Sequence, residues 1–581
     1  MQSSRKRTLL NICIAAGITA GIILQIAVLF DLYFDLNDDV LMKDLLSGSY
    51  TGVPAAHNIQ MLYPISLLIS LVYRLIRNAD VYGIFLCLCQ YGCLFLILYK
   101  TLELVKNVRW KVVVVVAEIL FAIGTLTGHF VYAQYTFTVA MMAGTAAFLV
   151  ITGEGRKNRI IVCLIIWLSF LVRSEMLLLM LPITGMAWGY RFVTDLKDTD
   201  KSEKEIRTIY IRWAIILFVG LIVCEGFDTI AYSSSKWSEF RALFDARTEL
   251  YDYQTIPEYE SNKEFYDSIG LDETEVELLF NYNFGLDSEI DSKVMAKVAA
   301  YAKSIKEETP MPLRISNAFS KYIYRLHHFG FQEGFEYPQT DAPWNLIILI
   351  MYLAVFFTYL SKKKQGLIGI VYLAALFIVR TLLWMYILVG ERDPIRITHG
   401  LMFAEIALFL GIMIRAMSSE ESKTYVRAGL ILIAAISIIY IPNTMTITVT
   451  EGKDRYLVNE PYNELYEYIG SNTEDFYWID VYSSVSYSEK MFKGTDNSLD
   501  NYDILGGWAC KSPLQDSKLE AFGYEDIQSS LLSDNAYLVI KKDHSTDWLV
   551  SYYNNKGVKI SLNEVDIVAD TFRIIEVSAV E

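Results

Sequence analysis

Residues 31–58 read DLYFDLNDDVLMKDLLSGSYTGVPAAHN. They follow one apolar run, 8–30, and precede a long series of others. The stretch carries Asp31, Asp35, Asp38, Asp39 and Asp44, with His57 near its end. Nothing else so dense in carboxylates lies so close to a run able to enter a membrane. Asn37 is placed to cap a helix, which puts Asp38 and Asp39 in its first turn, where the helix dipole favours negative charge. Leu41 and Leu45, and Met42 and Leu46, repeat at i, i+4. Gly48 offers a left-handed stop. Residues 38–47 therefore read as a short amphipathic helix on a membrane surface, with Gly52 and Pro54 continuing as a turn-rich loop.

The composition extends this reading. Of 581 residues, 53% are apolar. They fall in blocks of roughly 17–25, the length that crosses a hydrocarbon core about 30 Å thick. The net charge of −15 gathers in three polar segments, 31–58, 232–342 and 445–581. No basic stripe able to neutralise a phosphate backbone is present, which argues against nucleic acid as a partner. The seven cysteines show no pairing or ligand spacing, so free thiols are expected. Cys87, Cys89 and Cys93 invite a metal reading but read better as small buried apolar residues. The run 8–30 is longer than a signal-peptide core and lacks a small-x-small cleavage site before the acidic loop, so an uncleaved first helix is expected.

Basic clusters set the orientation. Residues 5–7, 106–111, 156–159, 197–212, 362–364 and 423–427 should all be cytoplasmic. A threading that satisfies this has eleven crossings: 8–30, 81–104, 111–128, 130–151, 160–172, 175–193, 211–231, 344–361, 365–389, 398–416 and 426–444. It leaves 31–80, 232–342 and 445–581 outside. Segment 61–77 is apolar enough to span, but counting it would turn two basic clusters outward, so it is expected as a juxtamembrane or re-entrant helix. Segment 160–172 covers only about 20 Å and is expected to pair with 175–193 around a break at 173–175.

The domains follow: 1–444 is a transmembrane domain, with 31–80 as its first outer loop and 232–342 as a folded cap, and 445–581 is a soluble α/β domain. The cap is too long for an ordinary connector. Helices are expected at 272–281, 288–306 and 311–329. In the last domain, helix-like 461–469 and 525–532 alternate with strand-like 475–482, 536–541 and 573–578. Residues 501–513 read as a loop, in which Gly506-Gly507-Trp508 is a turn with a packed Trp or a stacking surface for a sugar.

Three groups could carry chemistry. Asp38 and Asp39 sit where a surface helix meets an emerging lipid-linked phosphate, and a positioned carboxylate can take the proton of an acceptor hydroxyl. The alternative is a pair that only caps its helix. Arg380, inside an apolar run, and Arg392, Arg396 and His399 in GERDPIRITHG suit a phosphate or diphosphate leaving group. Their alternative is snorkelling with a structural pair to Glu391 or Asp393. Arg173 and Glu175 flank the helix break, with His129, Gln134 and Tyr135 at neighbouring helix ends, either lining a cavity or closing the break as a polar network. His57 and His327-His328 could join the Asp pair at a metal or serve as interfacial residues. No soluble nucleotide-sugar DxD motif and no Walker loop occurs.

The topology and the NDD motif at 37–39 resemble the GT-C superfamily: protein O-mannosyltransferases, oligosaccharyltransferase catalytic subunits and bacterial aminoarabinose or lipid-sugar transferases. The resemblance covers 30–445 as architecture and 37–39 as motif. Its members carry an acidic pair, commonly Asp-Glu, in the first outer loop, whose first acid is catalytic base or metal ligand. By position that acid is Asp38, with Asp39 second. Here the pair is Asp-Asp, and Val40, Leu41 and Met42 replace the aromatic and basic residues usual after it. The fuller pattern NDD…SG-x-YTG-x-P also resembles a group of Gram-positive membrane proteins of glycosyltransferase architecture. The resemblance implies inverting transfer of a sugar from a polyprenyl-phosphate donor to a cell-envelope glycan or lipid at the outer face of a bacterial cell membrane. A divalent cation, Mg or Mn, is allowed and not required. The rivals are a lipid-linked-glycan flippase or envelope scaffold, which should carry paired repeats or midplane polar residues, and a polysaccharide polymerase or ligase, which would lean more on Arg and His.

Overall fold

A computed structural model describes residues 2–198, 201–306, 309–329, 341–418, 423–493 and 498–580. The end of the expected cap, 330–340, lies outside the described residues. Each expected crossing falls on a helix: Gln2–Leu29, Val81–Leu104, Val108–Phe121, Tyr135–Thr152, Gly155–Val172, Ser174–Asp198, Glu203–Ala231, Trp344–Leu360, Lys363–Val389, Ile395–Ser418 and Thr424–Ser471. Val108–Phe121 continues through a π-helical turn, Ala122–Leu126, into Thr127–Val131. Among the described residues, nine helices are long and apolar enough to cross a membrane. Gly155–Val172 falls short because Arg156, Lys157 and Arg159 occupy its start, and Trp344–Leu360 because it has only 17 residues. Tyr63–Leu75 has 13 residues, about 20 Å, well short of the bilayer core.

The bundle is organised around Tyr135–Thr152, buried along its whole length, and Ile395–Ser418, buried along most of it. These two approach closely because Gly144 has no side chain: a Cβ there would stand 2.9 Å from the Ala404 Cα. Small residues at such a crossing are how helices pack where lipid removes the hydrophobic drive between them. The break at 173–175 is sharper than expected, a single extended residue, Arg173. Basic ends gather at one end of the bundle. Arg191 and Arg415 both reach Glu154, at 3.2 and 3.7 Å, and Arg427 lies over Trp110 at 4.4 Å.

The other end carries the first loop. Strand β1 (Tyr33–Phe34) pairs in parallel with β2 (Tyr132–Ala133), tying the loop to a gap between two bundle helices. The surface helix runs Asn37–Ser47. Asn37 is its first residue rather than its cap. Leu36 holds the cap position with extended backbone and no side-chain hydrogen bond, so Asp38 and Asp39 occupy the first turn as expected without a capping side chain. Gly48 closes it in the left-handed region at φ 98°. The helix does not lie free on a surface. Lys43 is buried and donates to Glu489 at 2.6 Å, and the Tyr50 hydroxyl donates to Asp503 at 2.8 Å.

The boundary expected at 444/445 falls inside one helix of 48 residues, Thr424–Ser471. The expected helix 461–469 is its end, so the last domain is joined to the bundle by a continuous rod of about 72 Å. Beyond it, β3 (Phe476–Ile479), β4 (Tyr502–Ile504), β5 (Ala536–Lys541), β6 (Ile560–Val568) and β7 (Phe572–Ala579) form a sheet of order β4-β3-β5-β7-β6. β3 is parallel to β4 and β5, and β7 is antiparallel to β5 and β6. β4 lies in the stretch expected as loop. Cap and sheet are one body: Leu250, Tyr266 and Leu279 share a core with Trp478, Leu538 and Tyr552.

Candidate functional site

Two cavities flank the acidic loop. The bundle cavity, about 800 Å³, is lined by Asp35, His129, Trp344, Arg396, His399 and Glu451 among others. The cap cavity, about 430 Å³, lies between the surface helix, the cap and the sheet, and Asp38, Arg247, Tyr482 and Trp508 are on its wall. Both volumes fall in the range of small-molecule sites, about 300–1,000 Å³.

The two acids of the pair part company. They are successive residues on a helix, so their side chains point about 100° apart. Asp39 turns inward, is fully buried, and accepts a hydrogen bond from the Tyr82 hydroxyl at 2.7 Å. Its Oδ2 has no partner. Burial pushes its carboxyl well above the usual carboxylate range, with the Tyr82 hydroxyl pulling it partly back. It lines neither cavity. Asp38 is half-buried and faces the cap cavity. Burial raises its carboxyl, and the charges of Arg173, Arg396 and Arg247 pull it back. Arg396 is on the wall of the bundle cavity, so Asp38 lines one space and feels the charge of a residue that lines the other.

The basic residues separate likewise. Among the described residues Arg396 has no hydrogen-bond or ion-pair partner, so its fork of donors faces the bundle cavity. Arg392 lies at the rim, exposed, 3.2 Å from Asp252 and 4.6 Å from the Tyr253 ring. Arg380 is a correction. It is 3% exposed, donates to Glu405 at 2.9 Å and to the Tyr322 hydroxyl at 2.7 Å, and lines neither cavity. A buried arginine inside a bundle finds a carboxylate on the next helix because an unpaired charge there is too costly. Asp393, offered by the sequence as a partner for these arginines, is taken instead by Arg325 at 2.7 Å and Lys321 at 2.9 Å.

His129 and His399 do line the bundle cavity, with Nε2 of the first 2.8 Å from Nδ1 of the second. Phe137 stacks on His129 at 3.6 Å and Trp344 on His399 at 4.7 Å. Arg173 closes the helix break. It donates to Gln60 at 2.7 Å and Tyr135 at 2.5 Å and pairs with Glu175 at 3.2 Å. Glu175 is a correction, its side chain 74% exposed. Neither it nor Arg173 lines a cavity. His57 is a second correction. It stacks on Trp237 at 4.3 Å and is wedged among Tyr63 and Tyr232, an aromatic anchor away from both cavities. Among the described residues no ligating trio of His, Cys, Asp or Glu includes Asp38 or Asp39. The one such trio, Glu275, Asp287 and Glu289, is bridged by Lys556. All seven cysteines are free.

Sequence reasoning passed over Asp35, Glu451 and Arg455. Arg455 pairs with both acids at 2.7 Å and donates to the Asp35 carbonyl at 3.0 Å, so it clamps the loop to the long helix. The i, i+4 spacing of Glu451 and Arg455 was the available signal. It lies across the expected domain boundary, where a continuing helix was not foreseen.

The site belongs to a polytopic α-helical membrane protein whose loop, cap and α/β domain enclose two cavities at one end of the bundle. No family model matches the chain, and no curated protein matches it in sequence. The chain is similar to the crystal structure of ArnT from Cupriavidus metallidurans in the apo state, with 8% identity over 99% of this chain and 98% of that one, at a TM-score of 0.39. The likeness runs end to end but is loose, and it assigns no residue of this chain.

Proposed function

We propose that the chain is an inverting membrane glycosyltransferase of the GT-C type. It is seated in the bacterial cell membrane with its N-terminus in the cytoplasm and its α/β domain outside. It moves a sugar from a polyprenyl-phosphate donor to a cell-envelope acceptor. The observation that supports this most is the place of Asp38, on the wall of one cavity and within the field of Arg396, which lines the other.

The donor phosphate lies in the bundle cavity, where Arg396 offers two parallel N–H bonds, with Arg392 at the entrance and His129 and His399 beside it. The acceptor hydroxyl oxygen attacks the anomeric carbon from the opposite side. The bond from that carbon to the phosphate oxygen breaks, and its electron pair leaves on the lipid phosphate. Asp38 takes the hydroxyl proton. Burial raises its carboxyl, which makes it a stronger base than an exposed carboxylate, and the charges of the three arginines offset part of that rise. The role of Asp39 is to hold the helix turn that aims Asp38. Arg380 holds two helices together.

Arg396→Gln tests the donor side. Loss of one charged contact of about 1.5–3 kcal/mol should raise the KM for the lipid donor roughly 10–100-fold. An unchanged donor KM would place the phosphate elsewhere.

A further inference from the structure

We propose that the cap cavity is an acceptor site for an uncharged pyranose ring, the terminal sugar of a glycan, rather than for a lipid or a polypeptide. The inference deepens the reading of Asp38 as base and rests on it. Its own evidence is the wall of the cavity.

Seven tyrosines and one tryptophan, Trp508, line the space. An aromatic ring offers a negative face to the C–H face of a sugar, and a phenol hydroxyl offers a hydrogen bond at its edge. Tyr482, 47% exposed, offers such a face, and Trp508 is on the same wall. A lipid chain would need an unbroken apolar wall, and this one is interrupted by Asp38, Asp44, Asp500 and Asp503.

The charges narrow the class further. Asp503 is satisfied by Tyr50, Gln515 and the Ile504 amide. Asp44 is paired with Lys43 at 3.0 Å. Two groups remain. Lys518 is 2% exposed and lies over the Tyr50 ring at 4.3 Å, with no hydrogen-bond or ion-pair partner among the described residues. The Asp500 carboxyl also lacks a hydrogen-bonding side-chain partner there, and burial with the nearby charge of Asp44 pushes it up to about 7, with the Lys518 charge pulling it partly back. A buried ammonium without a partner is costly. A ring bearing several hydroxyls satisfies a donor and an acceptor together. The wall carries four acids against the two bases Arg247 and Lys518, a balance that favours an uncharged ring over an anionic sugar or a phosphate. Because Asp38 is on the same wall, a ring held here presents a hydroxyl to the base.

The test is saturation-transfer NMR on the full chain in nanodiscs. The probes are methyl glycosides of glucose, galactose, mannose, rhamnose and N-acetylglucosamine, with a serine peptide and glycerol phosphate as the competing classes. Ring protons of at least one glycoside should receive saturation, and Tyr482→Ala and Lys518→Met should each weaken binding roughly five-fold, the size of one lost ring contact or one lost hydrogen bond. Tyr482 is exposed enough for its variant to fold if the lysine variant does not. Arg396→Gln, in the other cavity, should bind the glycoside like wild type while needing roughly 10–100-fold more lipid donor for transfer. Binding of only the peptide or glycerol phosphate, no binding of any glycoside, or equal binding by wild type and both cap-cavity variants would overturn the inference. Sugar transfer without glycoside binding would overturn it and leave the transferase reading standing. Glycoside binding without transfer from any donor would support the site and count against the transferase.

Discussion

Asp38 and Asp39 differ by one position and by their whole environment. Asp39 is a buried carboxyl that accepts from the Tyr82 hydroxyl and is pushed up by burial, and Asp38 faces a cavity under three arginines. Asp39→Asn should keep the fold and most transfer, since an amide of the same shape keeps an oxygen that accepts from Tyr82. Asp39→Ala should lower stability by about 1–3 kcal/mol, because Tyr82 is left without an acceptor. Thermal unfolding in detergent checks both. Asp500 gives a pH signature. Its folded-state pKa is raised to about 7, so the folded chain binds a proton more tightly than the unfolded one. That contribution is full below the unfolded carboxylate value and is lost as pH rises through about 7. Asp500→Asn should flatten this part of the stability profile, and an unchanged slope in Tm from about pH 5 to about pH 7 would contradict it. The sequence made Asp38 legible through its place after the first helix. It could not separate the pair, because which carboxyl faces inward depends on Tyr82, 43 residues away.

At the scale of elements, the surface helix is pinned more than its amphipathic pattern suggests. Lys43 looks in the sequence like a solvated residue on a polar face, yet it is buried between Asp44 and Glu489. Removing one partner of a buried pair leaves a charge without compensation, which costs about 3–5 kcal/mol. Lys43→Met should therefore destabilise by that order, and Lys43→Met with Glu489→Leu should recover much of it. A double variant as unstable as the single one would show that the pair does not hold the helix. The same partner problem explains Arg380. Apolar periodicity predicts the helices that carry Arg380 and Glu405, but not that they face each other. Strands β3, β5 and β7 were legible from β-branched and aromatic runs. β6 was not, because its sequence ISLNEVDIV alternates weakly and most of it is exposed.

The whole molecule is a bundle carrying a cap and a sheet that cannot be pulled apart. The crossings were legible because lipid imposes length and apolarity on every span. The union of cap and sheet was not, since their shared core joins residues more than 170 apart, such as Leu250 and Trp478. The long helix joins this body to the bundle and, through Arg455 and Asp35, clamps the loop that carries Asp38. The most direct measurement is transfer of radiolabelled sugar from a panel of polyprenyl-phosphate sugars, in membranes carrying wild type or Asp38→Asn at equal abundance. The account predicts transfer by wild type from one donor and a loss of roughly 10²–10⁴-fold in the variant. Full activity in Asp38→Asn would contradict it.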